Sequence, residues 1–242
     1  MKFTNRIITN QTTDLSNADF SEGEIILINK PSGPTSFQVV SKIRKITGVK
    51  KVGHSGTLDP KASGLMILCT GKKTKEMDRF INLNKKYSGI IRLGLSSPSM
   101  DIETECSEIP LPKNLNKNKI LEVRDSFLGE IEQTPPMYSA VKVGGKKLYN
   151  LARKGKQIER EPRKIFIEKF EIDKIDLPDI YFSITCSKGT YIRVIADDFG
   201  KKLNTSGILL ELRRTGIGDF KVEEAFSINS LLKHFSTPLV SE

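Results

Sequence analysis

The chain predicts an α+β fold, a mixed and mostly antiparallel sheet flanked by helices, and three observations carry that expectation. Apolar residues alternate with polar ones at Ile165 and Ile167, then Phe170 and Ile172, again at Ile180, Phe182, Ile184 and Cys186, and at Ile208, Leu210 and Leu212, the period of half-buried strands. Between such segments the spacing becomes helical, most clearly at Ile192, Ile195, Phe199 and Leu203. The sequence has no internal repeat, no Walker A motif and no dinucleotide glycine pattern, so the nucleotide-binding α/β classes have no support.

Taken in order, residues 1–22 are polar, rich in Thr, Asn and Asp and without a period, so a flexible tail is expected there, followed by one folded domain over 23–236 and a short tail at 237–242. Glu24 to Asn29 reads as a strand and Lys30 to Thr35 as a turn; Ser36 is then the N-cap of a helix that turns Phe37, Val40 and Ile43 inward and stops at Gly48. Val52 to Gly64 reads as a glycine-rich loop. Strands are expected at 65–70 and 86–94, joined by a short helix using Met77, Phe80 and Ile81. Ser96 to Lys119, broken by Pro98, Pro110 and Pro112, reads as a surface excursion closed by a helix from Lys119 to Leu128. Gly144-Gly145 predicts a hairpin turn, followed by a basic helix ending at Lys154-Gly155. The alternating segments at 165–172 and 180–186 predict an antiparallel pair, and they precede a helix from Thr190 to Leu203 that carries Tyr191 and Arg193 at its start. Ser227 begins a last short helix.

With 242 residues and 37% hydrophobic content, the chain can bury a real core. Its 39 Lys and Arg exceed 29 Asp and Glu, giving a net charge of +10 that points to a polyanionic partner. Of these cations 28 are Lys and 11 Arg, and the chain is also rich in Ile and Asn, a bias that genome composition can produce without any binding surface. Cys69, Cys106 and Cys186 form no Cys-x-x-Cys pattern, which argues against a disulfide framework or zinc site and fits a reducing cytoplasm. His54 and His234 lie far apart and no carboxylate cluster has ligand spacing, so no metal is expected. The N-terminus lacks a signal-peptide core and no apolar run approaches a membrane span, so the expected setting is cytoplasmic, with no membrane partner.

Chemistry concentrates in Gly53-His54-Ser55-Gly56-Thr57-Leu58-Asp59-Pro60, where a carboxylate sits on a glycine-bearing turn beside an imidazole and two hydroxyls. Asp-Pro by itself is an ordinary turn opener; the neighbours make it a candidate site. A second feature lies between Tyr138 and Lys164. There Lys142, Lys146, Lys147, Arg153, Lys154, Lys156, Arg160, Arg163 and Lys164 are interleaved with Tyr138 and Tyr149, the composition of an RNA-gripping projection or of a solvated basic face.

Six ordered blocks carry a resemblance. They are Asn29 to Ser36, Gly53 to Gly64, Lys86-Tyr87, Pro136 to Lys142, Ser187 to Arg193 and Leu212-Arg213-Arg214. Over residues 24 to 226 the chain resembles the TruB family of pseudouridine synthases, which form pseudouridine-55 in the tRNA T-loop. The resemblance implies the pseudouridine synthase catalytic fold, a cofactor-independent isomerase and the tRNA T-arm as partner. A monomer with no obligatory protein partner is expected, though the sequence itself does not fix the oligomeric state.

Residue by residue, Asp59 matches the family's catalytic aspartate and Arg193 the arginine that pairs with it. Tyr87 matches the aromatic that stacks on an extruded base and can join proton transfer at C5; plain core packing is its alternative. Tyr191 and Leu212 match residues that hold the uracil, Leu212 being equally suited to the core. His54 matches the histidine that fills the opened T-loop, and Lys30 either contacts the backbone near the site or braces the catalytic loop. The carboxylate can attack C1′, add to C6 or remove the C2′ proton, and the residues do not choose among these. Many family members continue into a small RNA-binding domain, whereas this sequence stops at Glu242, so that module is expected to be absent or vestigial, with more of the grip falling to the insert at 138–164. The competing expectations are a tRNA-binding or folding protein without chemistry, and a metal-dependent nuclease or phosphoryl-transfer enzyme, the latter opposed by the lack of clustered carboxylates.

Overall fold

The computed structural model describes residues 6–139, 141–152 and 155–236. The elements begin with β1 (Ile7–Ile8), β2 (Ile25–Lys30), α1 (Ser36–Thr47), β3 (Val52–His54), β4 (Ser63–Thr70), α2 (Met77–Ile81) and β5 (Lys85–Leu93). Next come β6 (Leu95–Ser96), β7 (Ser107–Glu108), α3 (Lys117–Asp125), β8 (Gly129–Gln133), β9 (Lys142–Val143), β10 (Lys146–Lys147), α4 (Leu148–Ala152), β11 (Arg163–Asp176) and β12 (Asp179–Cys186). The chain finishes with α5 (Ile192–Lys202), β13 (Gly207–Ile217), β14 (Phe220–Lys221), β15 (Phe226–Ser227) and α6 (Ile228–Ser236). Contacts group the chain into two compact units, Met1–Tyr87 with Arg213–Glu242, and Ser88–Leu212. The strands pair in both senses, as a mixed sheet requires.

In the first unit the strands run β1-β2-β4-β13. Ile25 to Ile28 are fully buried, so β2 is covered on both faces and reads as an unbroken apolar run. Ile25 and Leu27 join Leu65, Ile67, Phe80, Ile217 and Phe220 in one core cluster. β4 lies antiparallel to β2 but parallel to β13, in the register Arg213 to Ser63 and Arg214 to Gly64. That approach needs glycine: a Cβ on Gly64 would stand 2.2 Å from the Arg214 carbonyl oxygen, at a φ of +110°.

Four sequence expectations in this unit need correction. Part of the stretch read as a flexible tail is a strand, because Ile7–Ile8 extends the sheet parallel to β2 with Ile8 fully buried. Thr35, not Ser36, caps α1: its hydroxyl accepts from Gln38 N at 3.1 Å while Gln38 Oε1 accepts from Thr35 N at 2.7 Å, a capping box that frees Ser36 for another bond. Phe37 is 69% exposed, and Val39, Val40 and Ile43 face inward instead. Finally, the first residues of the glycine-rich loop form β3, paired antiparallel with the edge of β4. Three residues are too few for alternation to show. Gly48 does end α1, at φ 71°.

In the second unit the strands run β5-β12-β11-β8. β11 and β12 are antiparallel as expected, and a bulge between Ile167 and Lys169 moves the buried phase from Ile167 to Phe170, which explains the broken alternation in the sequence. Phe127, Phe170, Phe182 and Phe199 form the aromatic core, with ring centroids 5.9–6.1 Å apart. Gly144 and Gly145 turn the β9–β10 hairpin at positive φ. Arg153, Lys154 and the C-terminal tail at 237–242 lie outside the described residues, as do the side chains of Lys142, Lys146 and Lys147.

Candidate active site

In the first unit, Asp59 sits on the loop between β3 and β4, half-buried, and its carbonyl closes a turn by accepting from Ala62 N at 3.1 Å. The loop is clamped from several elements. Ser36 Oγ both donates to the Leu58 carbonyl at 2.9 Å and accepts from Leu58 N at 2.8 Å. Lys30 at the end of β2 is fully buried, and its Nζ donates to the carbonyls of Pro31, Pro60 and Ala62 at 3.0, 3.2 and 2.6 Å. Arg214, 1% exposed, donates to Gly56 O at 3.1 Å and Leu65 O at 2.6 Å. Ser32 Oγ reaches the Lys61 carbonyl at 2.9 Å, and Gly33 N that of Pro60 at 2.8 Å. Gly56 takes a positive φ of 143° in the loop, whereas Gly53 belongs to β3.

Burial holds the Lys30 amine down to about 8 from 10.5, against the opposing pull of Asp59, with Arg214 adding to the depression. The folded chain therefore binds fewer protons at this site than the unfolded chain between pH 8 and 10.5, and stability at Lys30 rises with pH across that window. The expected result is that wild type gains stability relative to Lys30→Met as pH increases from 8 to 10.5, read as the difference in urea midpoints. A difference that stays flat or falls would contradict a buried, depressed amine. Burial likewise keeps the His54 imidazole below its ordinary range, with the Arg214 cation contributing, while Gly56 N donates to His54 Nδ1 at 3.2 Å and fixes the ring. It is a flat, neutral ring on a pinned loop. Tyr87, on β5, is 9% exposed.

In the second unit, Tyr191 and Arg193 stand at the head of α5. Gln133, 4% exposed, clasps Tyr191 through both amide atoms: Oε1 accepts from Tyr191 N at 2.7 Å and Nε2 donates to Tyr191 O at 3.1 Å. Arg193 is 4% exposed; Nη1 donates to Ser99 O at 2.9 Å, Nη2 to Tyr138 O at 2.8 Å, and Nε lies 3.5 Å from Asp101 Oδ2. Asp101 Oδ1 accepts from Glu103 N at 2.9 Å. Leu212 on β13 is half-buried.

Sequence reasoning missed Asp101, Ser99 and Gln133. The first two fall in the stretch read as a surface excursion, yet both are buried, tied down where Leu209 N donates to Met100 O at 2.9 Å. Met100 takes φ 61°, unusual for a residue with a side chain, at the bend that presents Asp101. A polar run with prolines gives no periodic signal of such burial. Among the described residues no group of three or more His, Cys, Asp or Glu could hold a metal ion, and no helix is long and apolar enough to cross a membrane.

The fold is similar to that of a chain in the crystal structure of a Cbf5-Nop10-Gar1 complex, with a TM-score of 0.69 and 31% identity, covering 88% of this chain and 54% of that one. This chain spans about half the length of that solved relative. The architecture is the pseudouridine synthase catalytic fold. Residues 44–192 match the model of the TruB family pseudouridylate synthase N terminal domain. The chain is 47% identical over 225 residues to the tRNA pseudouridine synthase B of Chloroherpeton thalassium, spanning 91% of this chain and 93% of that protein. It is 45% identical over 217 residues to the tRNA pseudouridine synthase B of Flavobacterium johnsoniae, spanning 87% and 95%. The chain belongs to the TruB family of pseudouridylate synthases, and is thus an isomerase.

Proposed function

We propose that the protein converts a uridine of the tRNA T-loop, position 55, to pseudouridine, with Asp59 as the catalytic carboxylate. The observation that carries the reading is the anchored loop: Ser36, Lys30 and Arg214 hold it at the backbone of Leu58, Pro60, Ala62 and Gly56 on either side of Asp59, which leaves the carboxylate on a fixed platform. The names of the close relatives supply the tRNA. In the reaction the C1′–N1 bond breaks, the uracil turns while bound, and C1′ joins C5; the C5 proton leaves to solvent and N1 gains one, so no oxidant or energy source is consumed.

The remaining roles follow the family pattern. Arg193 supplies the cation assigned to the carboxylate, and its rigid guanidinium suits a bridging position better than a lysine would. Tyr87 stacks on the extruded base, an interaction of about 1–3 kcal/mol that offsets part of the cost of flipping. Tyr191 and Leu212 hold the uracil, and the neutral His54 ring fills the space that the flipped base vacates. Lys30 braces the loop rather than touching RNA, in keeping with its complete burial.

The test is release of tritium from tRNA labelled at C5 of uridine, with a chelator present. The expected yield is one tritium per tRNA, lost when the T-loop target is replaced by cytidine. No release from the uridine substrate would leave a binding or folding protein as the better description. Release that stops only when the chelator is added would favour metal chemistry.

A further inference from the structure

A second feature of the first unit is unused by this chemistry. A cleft of about 660 Å³ opens between α1 and the start of α6, walled by the Lys30 to Ser32 turn, Gln38 and Lys42 of α1, Arg213 of β13 and Asn229. The turn that holds the Asp59 loop through Lys30 Nζ and Ser32 Oγ is thus also a wall of the cleft. Its charge is one-sided: among the described residues no Asp or Glu lines it, and neither Lys42 nor Arg213 has a carboxylate within ion-pair distance. Cations elsewhere in this unit are used differently, since Lys72 pairs with Glu22, and Lys73 with Glu76. α1 holds Lys42, Arg44 and Lys45 and no acid, so none of the i,i+4 pairs that usually neutralise an exposed helix face can form. From Ile25 to Lys75 the sequence carries ten Lys or Arg and one acid, Asp59.

We propose that this cleft binds backbone phosphates of the RNA substrate, with Lys42 and Arg213 as the charged contacts and the Gln38 and Asn229 amides as neutral donors. The Arg213 fork and the Lys42 ammonium match phosphate oxygens, and the volume suits a nucleotide-sized group. The proposal rests on the tRNA reading above and adds a grip that does not depend on the basic insert. Such contacts fix register on the RNA without reading its sequence.

The experiment measures binding of a T-arm hairpin RNA at several salt concentrations for wild type, Lys42→Gln, Arg213→Gln and the double variant. Each single change is expected to weaken binding about three- to tenfold at low salt and to lower the slope of log K against log salt by about 0.7–0.9. Lys174→Gln, which removes a cation already paired with Asp176, is expected to change neither. A double variant with the wild-type affinity and slope overturns the proposal. So does a pair of variants that weaken binding of inorganic phosphate, followed by NMR, while hairpin binding is untouched, since the cleft would then serve a free anion. Both results leave the tRNA reading standing, whereas a wild type that fails to bind the hairpin overturns the two together.

Discussion

Asp59→Asn is expected to bind T-arm RNA near the wild-type affinity and to release tritium from C5 at least about 10³-fold more slowly. The amide has the shape of the carboxylate but neither its charge nor its basicity, and all three chemical routes open to Asp59 need one or the other. The loop itself should survive, because the clamps from Ser36, Lys30 and Arg214 end on backbone atoms of Gly56, Leu58, Pro60 and Ala62. Equal binding with lost release separates chemistry from recognition. Turnover close to wild type in this variant would falsify the assignment of the carboxylate.

Asp101→Ala is expected to cost about 3 kcal/mol of stability, the lower end for breaking a buried ion pair, because Arg193 keeps its bonds to Ser99 O and Tyr138 O. For a chain of this size that corresponds to a fall in Tm of about 6–12 °C. If Arg193 serves Asp59 as proposed, Asp101 is also expected to position it: without Asp101 the guanidinium can shift, and a displacement of about 1 Å is expected to lower the rate about 10²-fold. The discriminating readout is single-turnover tritium release at a temperature where the variant remains folded, with Asp101→Glu restoring part of the rate. A variant that melts early yet turns over at the wild-type rate while folded would reduce Asp101 to a purely structural group.

Much of the fold was legible because its signals are local. The β11 and β12 alternation, the α5 stripe and the Gly144-Gly145 turn each lie within a dozen residues, and all three are where the pattern put them. Failures came where a distant partner decides. Ile7–Ile8 becomes a strand only because the edge of β2 is there to pair with, and β3 exists only along β4. Phe37 is an apolar residue of the kind found in cores, but the buried face of α1 runs through Ser36, Val39, Val40 and Ile43 and leaves it outside. The candidate site divides the same way. Asp59 stood out through its glycine-bearing turn, whereas Asp101 and Gln133 act through residues far along the chain, Arg193 and Tyr191, and nothing in their own neighbourhoods announces burial.

The stapled β3–β4 connection has a consequence for who deforms whom. If Asp59 acts as proposed, its segment, stitched at both flanks, leaves the enzyme little slack to follow a mismatched ligand, and the burden of distortion would shift to the nucleic acid. Selection among RNAs would then track how cheaply each one can splay open its loop: pre-loosened stem-loops should be processed faster than rigid ones with identical bases.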